Sequence, residues 1–536
     1  IALGRYELRE GSMPRPGSDE WKEWEAVLDR AWQGLLAEWR ALDPDTEGLA
    51  FLQMNSRRDI LSLWMRVRLA AGDADAETDC IARYLEVEAL GSTARRLGQP
   101  AVTLAEVVRD LAPPNGAIVV FLPAATGSHA LWLTNSSVRV FRLPAEGPLR
   151  QRVFDLRRIA FSQDDVVDEA DLRRKAQLIA STLLQEDLRA LLARVQTLLV
   201  AGHELLHGLP VELLPIDEPE HWLGLRHAVA YEPSITLAMH MLHREPRTAE
   251  AKAVMLAATQ VGSQDAERWQ HGPIDVSHSS LRAALAAVRE DQVDIRRDAT
   301  PADLRPRLGP PDLLAIVAHG IFDGSLPCPG GLLLGPDTQR GTGAVFAADL
   351  ASVPLPRIAF LGVCGATRGS LRLGEDGGHR FPGVLLAGGS DTVVASDGDV
   401  RLDEVLAMLQ HFTNGLMAGD DAAQALLQAR QEMAKTHRHP RAWAGLHLEG
   451  LPGTRVHWRR AQPATVWPWG VGVLLGIAAA TFAWWRRRSG QRNNQGFGGN
   501  GGFGGTGGGG GKSGGSSSPP GTPEEMVVEI ERARRK

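Results

Sequence analysis

Cysteine is scarce in this chain, and neither sign of charge dominates it. Cys80, Cys328 and Cys364 are the three cysteines among 536 residues, and they stand at unrelated spacings. They offer neither a disulfide framework nor a paired Cys-x-x-Cys metal site. Such thiols point to a reducing compartment, which favours the cytosol for the body of the protein. Lys and Arg total 58 against 64 Asp and Glu, a net charge of −6, so no global basic field argues for nucleic acid. No clean repeat of fixed period recurs, which leaves a solenoid without support. No signal-peptide pattern is visible, and the chain starts at Ile1 instead of a methionine, which leaves room for residues ahead of it.

What is present is enough chain for two or three domains and 43% hydrophobic residues to build their cores. Residues 1–112 read as a helical region. Trp21, Trp24, Val27, Leu28, Trp32, Leu35, Leu36 and Trp39 recur at helical spacing, with charges on the other face and Ser18 or Asp19 placed to cap the start. That stripe is ordinary packing surface. Two further helical stretches follow, near 50–71 and 75–97. Pro113-Pro114-Asn115-Gly116 then marks a change of regime. Short strands are expected at 117–122, 130–134 and 138–143, a long helix at 168–195, and a buried strand at 197–201. His203 and His207 after that strand lack a regular element to fix metal-ligand geometry and read as a turn. From residue 253 onward, β–α–β alternation predicts a parallel sheet with helices on both faces.

Composition shifts after residue 452. Trp467–Trp485 carries no charge and has tryptophans at both ends, the pattern of a single membrane-spanning helix. Residues 486–523 are a Gly/Ser-rich linker, and residues 524–536 can form a short amphipathic docking helix or a charged end. Arginines flank the apolar span on both sides, so charge bias decides little about orientation. The thiols place the larger part of the chain on the cytoplasmic side.

Two apolar runs carry the chemistry. Leu313-Leu314-Ala315-Ile316-Val317-Ala318 leads into His319-Gly320, and Ile358-Ala359-Phe360-Leu361-Gly362-Val363 leads into Cys364-Gly365. Both have the form of strands buried on both faces of a parallel sheet. Such strands deliver side chains to a crevice at their carboxyl ends. An imidazole beside a thiol supplies the base that ionises it. Glycine after each lets backbone approach a substrate carbonyl, and N–H groups there can stabilise an oxyanion. Cys328, on a Pro-rich loop between Pro327 and Pro329, reads as incidental.

The ordered pieces resemble the caspase-like cysteine peptidases and, more narrowly, the CHAT domain, a bacterial relative of caspases and separase. The pieces are the strand set from 117 to 143, His207-Gly208-Leu209-Pro210, Tyr231-Glu232-Pro233-Ser234, Ala318-His319-Gly320, Leu361-Gly362-Val363-Cys364, Thr392–Ser396 and His439–Gly445. The resemblance covers 113–452, with 113–249 as the N-terminal half of the domain and 250–452 as the catalytic half. It implies an α/β fold with a caspase-like, mostly parallel sheet flanked by helices. It implies His319 as general base and acid, Cys364 as nucleophile, and the amides of Gly320 and Cys364 as oxyanion hole, with no metal or organic cofactor. It also implies a protein substrate, an activating partner met through the helical N-terminus or the C-terminal tail, and a bacterial stress, immunity or cell-death pathway, antiviral defence included.

The sequence departs from the usual pattern at Gly365-Ala366 and at Asp397-Gly398-Asp399. The resemblance implies that the second region lines the pocket for the residue before the cut, and since a carboxylate in a cleft pairs with Arg or Lys, Asp397 or Asp399 is expected to select a basic side chain there. The alternative is a helix N-cap or solvated turn. The leading expectation is a membrane-tethered CHAT-type cysteine endopeptidase. A catalytically silent CHAT scaffold that assembles partners at a membrane, and a hydrolase of a non-peptide amide or thioester, are the alternatives.

Overall fold

Apolar, β-rich runs alternate with amphipathic ones along this chain, and in the computed structural model they form, among the described residues, a thirteen-stranded sheet flanked by helices. The structure describes residues 14–41, 56–89, 101–125, 127–162, 167–203, 208–218, 221–245, 252–305, 310–326, 328–350, 353–367, 380–437, 439–456 and 458. The helical start comprises α1 (Asp19–Ala41), α2 (Ser56–Ala71) and α3 (Ala76–Glu88). Ser18 caps α1, accepting from the Trp21 N–H at 3.2 Å. The tryptophan stripe faces inward, with Trp21, Trp32 and Trp39 buried, and Trp32 Nε1 donates to Glu86 on α3.

Next come β1 (Gly116–Leu122), β2 (Ser128–Leu133), β3 (Val138–Leu143), α4 (Gly147–Ala160), α5 (Glu169–Leu183), α6 (Glu186–Leu192), β4 (Thr197–Gly202), β5 (Ala228–Tyr231) and α7 (Ile235–Leu242). The expected long helix over 168–195 is thus two helices. The break at Leu184–Gln185 carries no glycine or proline, and Leu183 and Leu184 are both buried beside it. The second stretch holds β6 (Ala253–Ala257), α8 (Ser263–Trp269), α9 (His278–Ala284), β7 (Val293–Arg296), β8 (Leu313–Phe322), β9 (Gly330–Leu333), β10 (Ala344–Phe346) and β11 (Ile358–Val363). It ends with α10 (Phe381–Gly388), β12 (Thr392–Ser396), α11 (Leu402–Ala418), α12 (Ala422–Thr436), α13 (Pro440–Ala444) and β13 (Leu446–Gly450).

The strand order is β10-β9-β8-β11-β12-β13-β5-β4-β1-β2-β3, with β6 pairing β8 and β7. The ladders β6–β8, β8–β11 and β11–β12 are parallel, as are β1–β4 and β4–β5. Period-two alternation sorts the central side chains to two cores. Leu313, Ala315, Val317, Ile358 and Phe360 pack with Met408, Leu409 and Phe412 of α11. Ile316, Ala318, Ala359, Leu361 and Val363 pack with Phe381 and Leu385 of α10. Each fully buried Leu or Phe contributes about 1.5–3 kcal/mol. Burial on both faces explains why these strands read as continuous apolar runs. Among the described residues, the ion pairs Arg380–Glu449 and Arg430–Glu212 join side chains at most 1% exposed, each at 2.7 Å.

The expected single-pass membrane placement is corrected. No helix among the described residues is long and apolar enough to cross a membrane. Length alone does not suffice: α1 exceeds the roughly 20 residues a span needs, but its sequence, DEWKEWEAVLDRAWQGLLAEWRA, carries charges throughout. The segment 467–485, the linker 486–523 and the tail 524–536 lie outside the described residues.

Candidate active site

The β8–β11 ladder runs in parallel register from Ile358↔Leu313 to Val363↔Ala318. The next residues on the two strands are Cys364 and His319. Neighbouring strands lie about 4.8 Å apart, and alternation turns both positions to the α11 face, so the topology brings imidazole and thiol to one cleft. β8 runs four residues past that ladder. There it turns to β9, with His319↔Leu333 and Gly320↔Leu332 as antiparallel partners. His319, Gly320 and Cys364 line a cleft of about 510 Å³ together with His271, Asp399, Val400, Arg401 and Arg441.

His319 is half-buried, and its Nε2 lies 2.8 Å from the carbonyl oxygen of Gly272. A carbonyl only accepts, so Nε2 carries the proton and Nδ1 keeps the lone pair. His271 stacks on His319 with ring centres 4.3 Å apart and planes within 1°. Its own Nε2–H donates to Gly320 O at 3.3 Å. Burial holds the His319 imidazole below its ordinary value, the Gly272 carbonyl opposes this, and His271 adds to the lowering. At neutral pH the ring is therefore neutral and able to accept a proton.

The thiol is held as closely. Cys364 Sγ donates to Val400 O at 3.6 Å and accepts from Val400 N–H at 3.5 Å. Gly365 has φ +60°, a left-handed conformation suited to glycine, and its N–H donates to Gly398 O at 2.8 Å. That amide is engaged within the protein. Thr367 N–H donates to Ser396 O at 3.1 Å, and Arg380 donates to Thr367 O. Gly320 is required for a different reason: a Cβ there would fall 1.9 Å from Cys364 O. Only glycine lets the two rim segments pack this closely.

Of the two candidate pocket acids, Asp399 lines the cleft. Asp397 is turned away from it and pairs with Arg157 at 2.6 Å, while its Oδ1 accepts from Thr367 Oγ1 at 3.0 Å. Neither caps α11, whose N-cap residue is Arg401. Arg441 forms part of the cleft wall with its charge answered by both carboxylate oxygens of Glu404, at 3.1 and 3.2 Å. Cys328 lies on the loop before β9, and none of the three cysteines is in a disulfide. Burial pushes the Cys80 thiol up to about 12, so it is inert.

His271, Gly272, Val400 and Arg157 escaped the sequence reading, and Arg441 entered it only as part of His439–Gly445, with no role. Gly272 and Val400 act through backbone atoms, which no side-chain pattern signals. Arg157 acts across 240 positions. His271, two elements before the His319 strand, was visible in principle only as an isolated histidine.

The CHAT domain model matches residues 173–450, just over half of the chain. No curated protein matches. Among solved structures, the Saccharomyces cerevisiae separase–securin complex is similar with a TM-score of 0.52 at 10% identity, covering 82% of this chain and 38% of that one. This chain thus spans well under half of the separase chain, and the likeness is one of fold. Gingipain R, an Arg-specific cysteine proteinase, matches at a TM-score of 0.35 and 12% identity, over 58% of this chain and 76% of that one.

Proposed function

The chain belongs to the CHAT domain family, and from that premise we propose that it is a cysteine endopeptidase cleaving a protein partner through Cys364 and His319. The observation that carries this reading is the shared cleft at the carboxyl ends of β8 and β11, lined by both residues. In this reading His319 Nδ1 takes the Cys364 proton and the thiolate attacks the peptide carbonyl. The imidazolium then protonates the leaving amine, and water releases the acyl-enzyme. The amides of Gly320 and Cys364 form the oxyanion hole; the Gly365 amide, already donating to Gly398 O, does not join them.

Asp399, the acidic side chain among the cleft residues, meets a basic residue before the cut. A cleavage profile without preference for Arg or Lys removes that assignment. An activating protein partner contacts the helical region 1–112 or the C-terminal tail, and a stress, immunity or cell-death setting follows from the family resemblance alone. The deciding experiment is a proteome-wide search for new N-termini with wild type against Cys364→Ala. Termini that appear with wild type and vanish with the variant support the peptidase. A variant that keeps full biological activity favours the silent scaffold.

A further inference from the structure

The cleft's thiol is bracketed by a single residue of the turn between β12 and α11, through Val400 N–H and Val400 O. That turn is tied down by the close of α4, the helix that follows the edge strand β3 in the chain. Arg157 Nη1 pairs with Asp397 Oδ2 at 2.6 Å, and Nη2 donates to the Asp397 carbonyl at 3.5 Å. Asp397 is only 11% exposed, so its charge is answered by Arg157 more than by water. Phe161 packs on Gly398, where a Cβ would come within 2.8 Å of the Phe161 Cβ. Ser162 O accepts from Arg441 Nη1 at 2.6 Å. Arg157 is itself seated against Gly208: it donates to the Gly208 carbonyl, and a Cβ on Gly208 would fall 2.1 Å from its Nη1.

We propose that Arg157 is a positioning residue for the Cys364 thiol: through Asp397 it fixes the 397–400 turn so that the Val400 amide is aimed at the sulfur. This rests on reading Cys364 as the nucleophile, although it concerns the thiol itself. α4 precedes residue 173, so the tie comes from a part of the chain that the family match does not reach. An amide donating to sulfur favours the thiolate, because a hydrogen bond to an ionised acceptor is about twice as strong as one to a neutral group. The S–H group is a weak donor, so the Val400 carbonyl contributes little to the neutral form. Loss of Arg157 acts twice in one direction. The turn loosens its amide from the sulfur, and the Asp397 carboxylate at the start of that turn loses its counter-charge. Among the described residues, the other charged or titratable groups facing the thiol are His319 from β8, His271 after α8, Asp399 and Arg401 from the turn, and Arg441 from α13. The substitution leaves all of these in place.

The test is iodoacetamide alkylation of the full chain from pH 5 to 10, followed at Cys364 by peptide mass spectrometry with Cys328 as internal reference. Arg157→Gln is expected to raise the Cys364 midpoint by about one unit and to slow alkylation at pH 7 about tenfold. Cys328 is unchanged. Gly208→Ala, which displaces Arg157 without removing its charge, shifts Cys364 in the same direction and decides the matter if Arg157→Gln fails to fold. The double variant Arg157→Gln/Asp397→Asn restores charge balance but not the tie, so its midpoint stays raised. A folded Arg157→Gln or Gly208→Ala with Cys364 rates within twofold of wild type overturns the proposal. So does a double variant that returns to the wild-type midpoint. A shifted thiol in a chain that cleaves nothing keeps the tie and removes the peptidase; normal cleavage with an unshifted thiol does the reverse.

Discussion

Two rims of the same sheet are built alike and finished differently. β8 and β11 are parallel neighbours, and so are β1 and β4. A histidine stands at the carboxyl end of each pair, His319 at the first and His203 at the second. At the β8–β11 rim the histidine is half-buried beside a thiol in an open cleft. At the β1–β4 rim it is fully buried: His203 meets the Tyr84 hydroxyl at 3.0 Å and Glu88 at 3.7 Å, both on α3. The α2 and α3 helices cover that rim. Strand topology therefore brings a histidine to both rims, and what lies over the rim decides whether that histidine stays open to a cleft or is sealed in the core.

The largest expected effect separates the two histidine sites. His319→Ala or Cys364→Ala lowers peptide cleavage at least about a thousandfold while leaving the fold intact, as loss of a member of a catalytic unit does. His203→Ala does the opposite. It leaves cleavage per folded molecule near wild type and costs about 2–3 kcal/mol, since it opens a cavity and strips Tyr84 and Glu88 of a buried partner. Urea unfolding followed with a fluorogenic peptide assay reads both quantities. A His203→Ala protein that lost cleavage at full stability would break the comparison.

Gly320→Ala probes how finely the open rim is set. The added methyl meets Cys364 O, so one of the two rim segments must move by an ångström or more. Misplacement of that size costs about a hundredfold in rate. Loss of the same size in KM with kcat unchanged would mean that the substrate, and not the reacting pair, had been displaced.

On the closed rim the corresponding small change is Tyr84→Phe. It deletes one hydroxyl, leaves the ring against His203, and strands buried polar atoms. The expected cost is about 1–3 kcal/mol in stability with no change in cleavage. A fall in cleavage equal to that of Gly320→Ala would show the covered rim to be coupled to the open one.

How much of this was legible follows from the same contrast. The ends of β8 and β11 announced themselves because strands buried on both faces must be continuously apolar, so His319 and Cys364 stood out as interruptions. The N-terminal helix was legible because its tryptophans keep a helical period. The Arg157–Asp397 tie was not, because single charges distant in sequence leave no period. Nor was the break at Leu184–Gln185, where packing overrides a helical pattern that no glycine or proline interrupts. His203 looked like part of a turn because the covering residues, Tyr84 and Glu88, belong to a helix more than a hundred positions earlier. The apolar stretch at 467–485 was read from hydropathy alone, and none of the described helices answers to it.

The smallest effect is the one that titration can read on both rims. Burial pushes His129, on β2 beside the closed rim, down to about 3, and both its ring nitrogens lack a partner. The folded chain keeps it neutral while the unfolded chain binds a proton below about 6.5, so the unfolded state carries more protons in that window. Stability is therefore lost as pH falls from about 6.5 towards 3, by about 1.4 kcal/mol per unit. Between pH 7 and 5.5 the wild type should lose about 1 kcal/mol more than His129→Leu in urea unfolding. His319 is lowered too, but it stays reachable from the cleft, so its protonation is read in rate. Cleavage should fall on the acid side with a midpoint below 6.5, and His271→Phe, which keeps a stacked ring without a second titrating imidazole, should move that midpoint upward. If the acid limb ignores His271 and follows His129→Leu instead, the rate is limited by unfolding at the closed rim and not by chemistry at the open one.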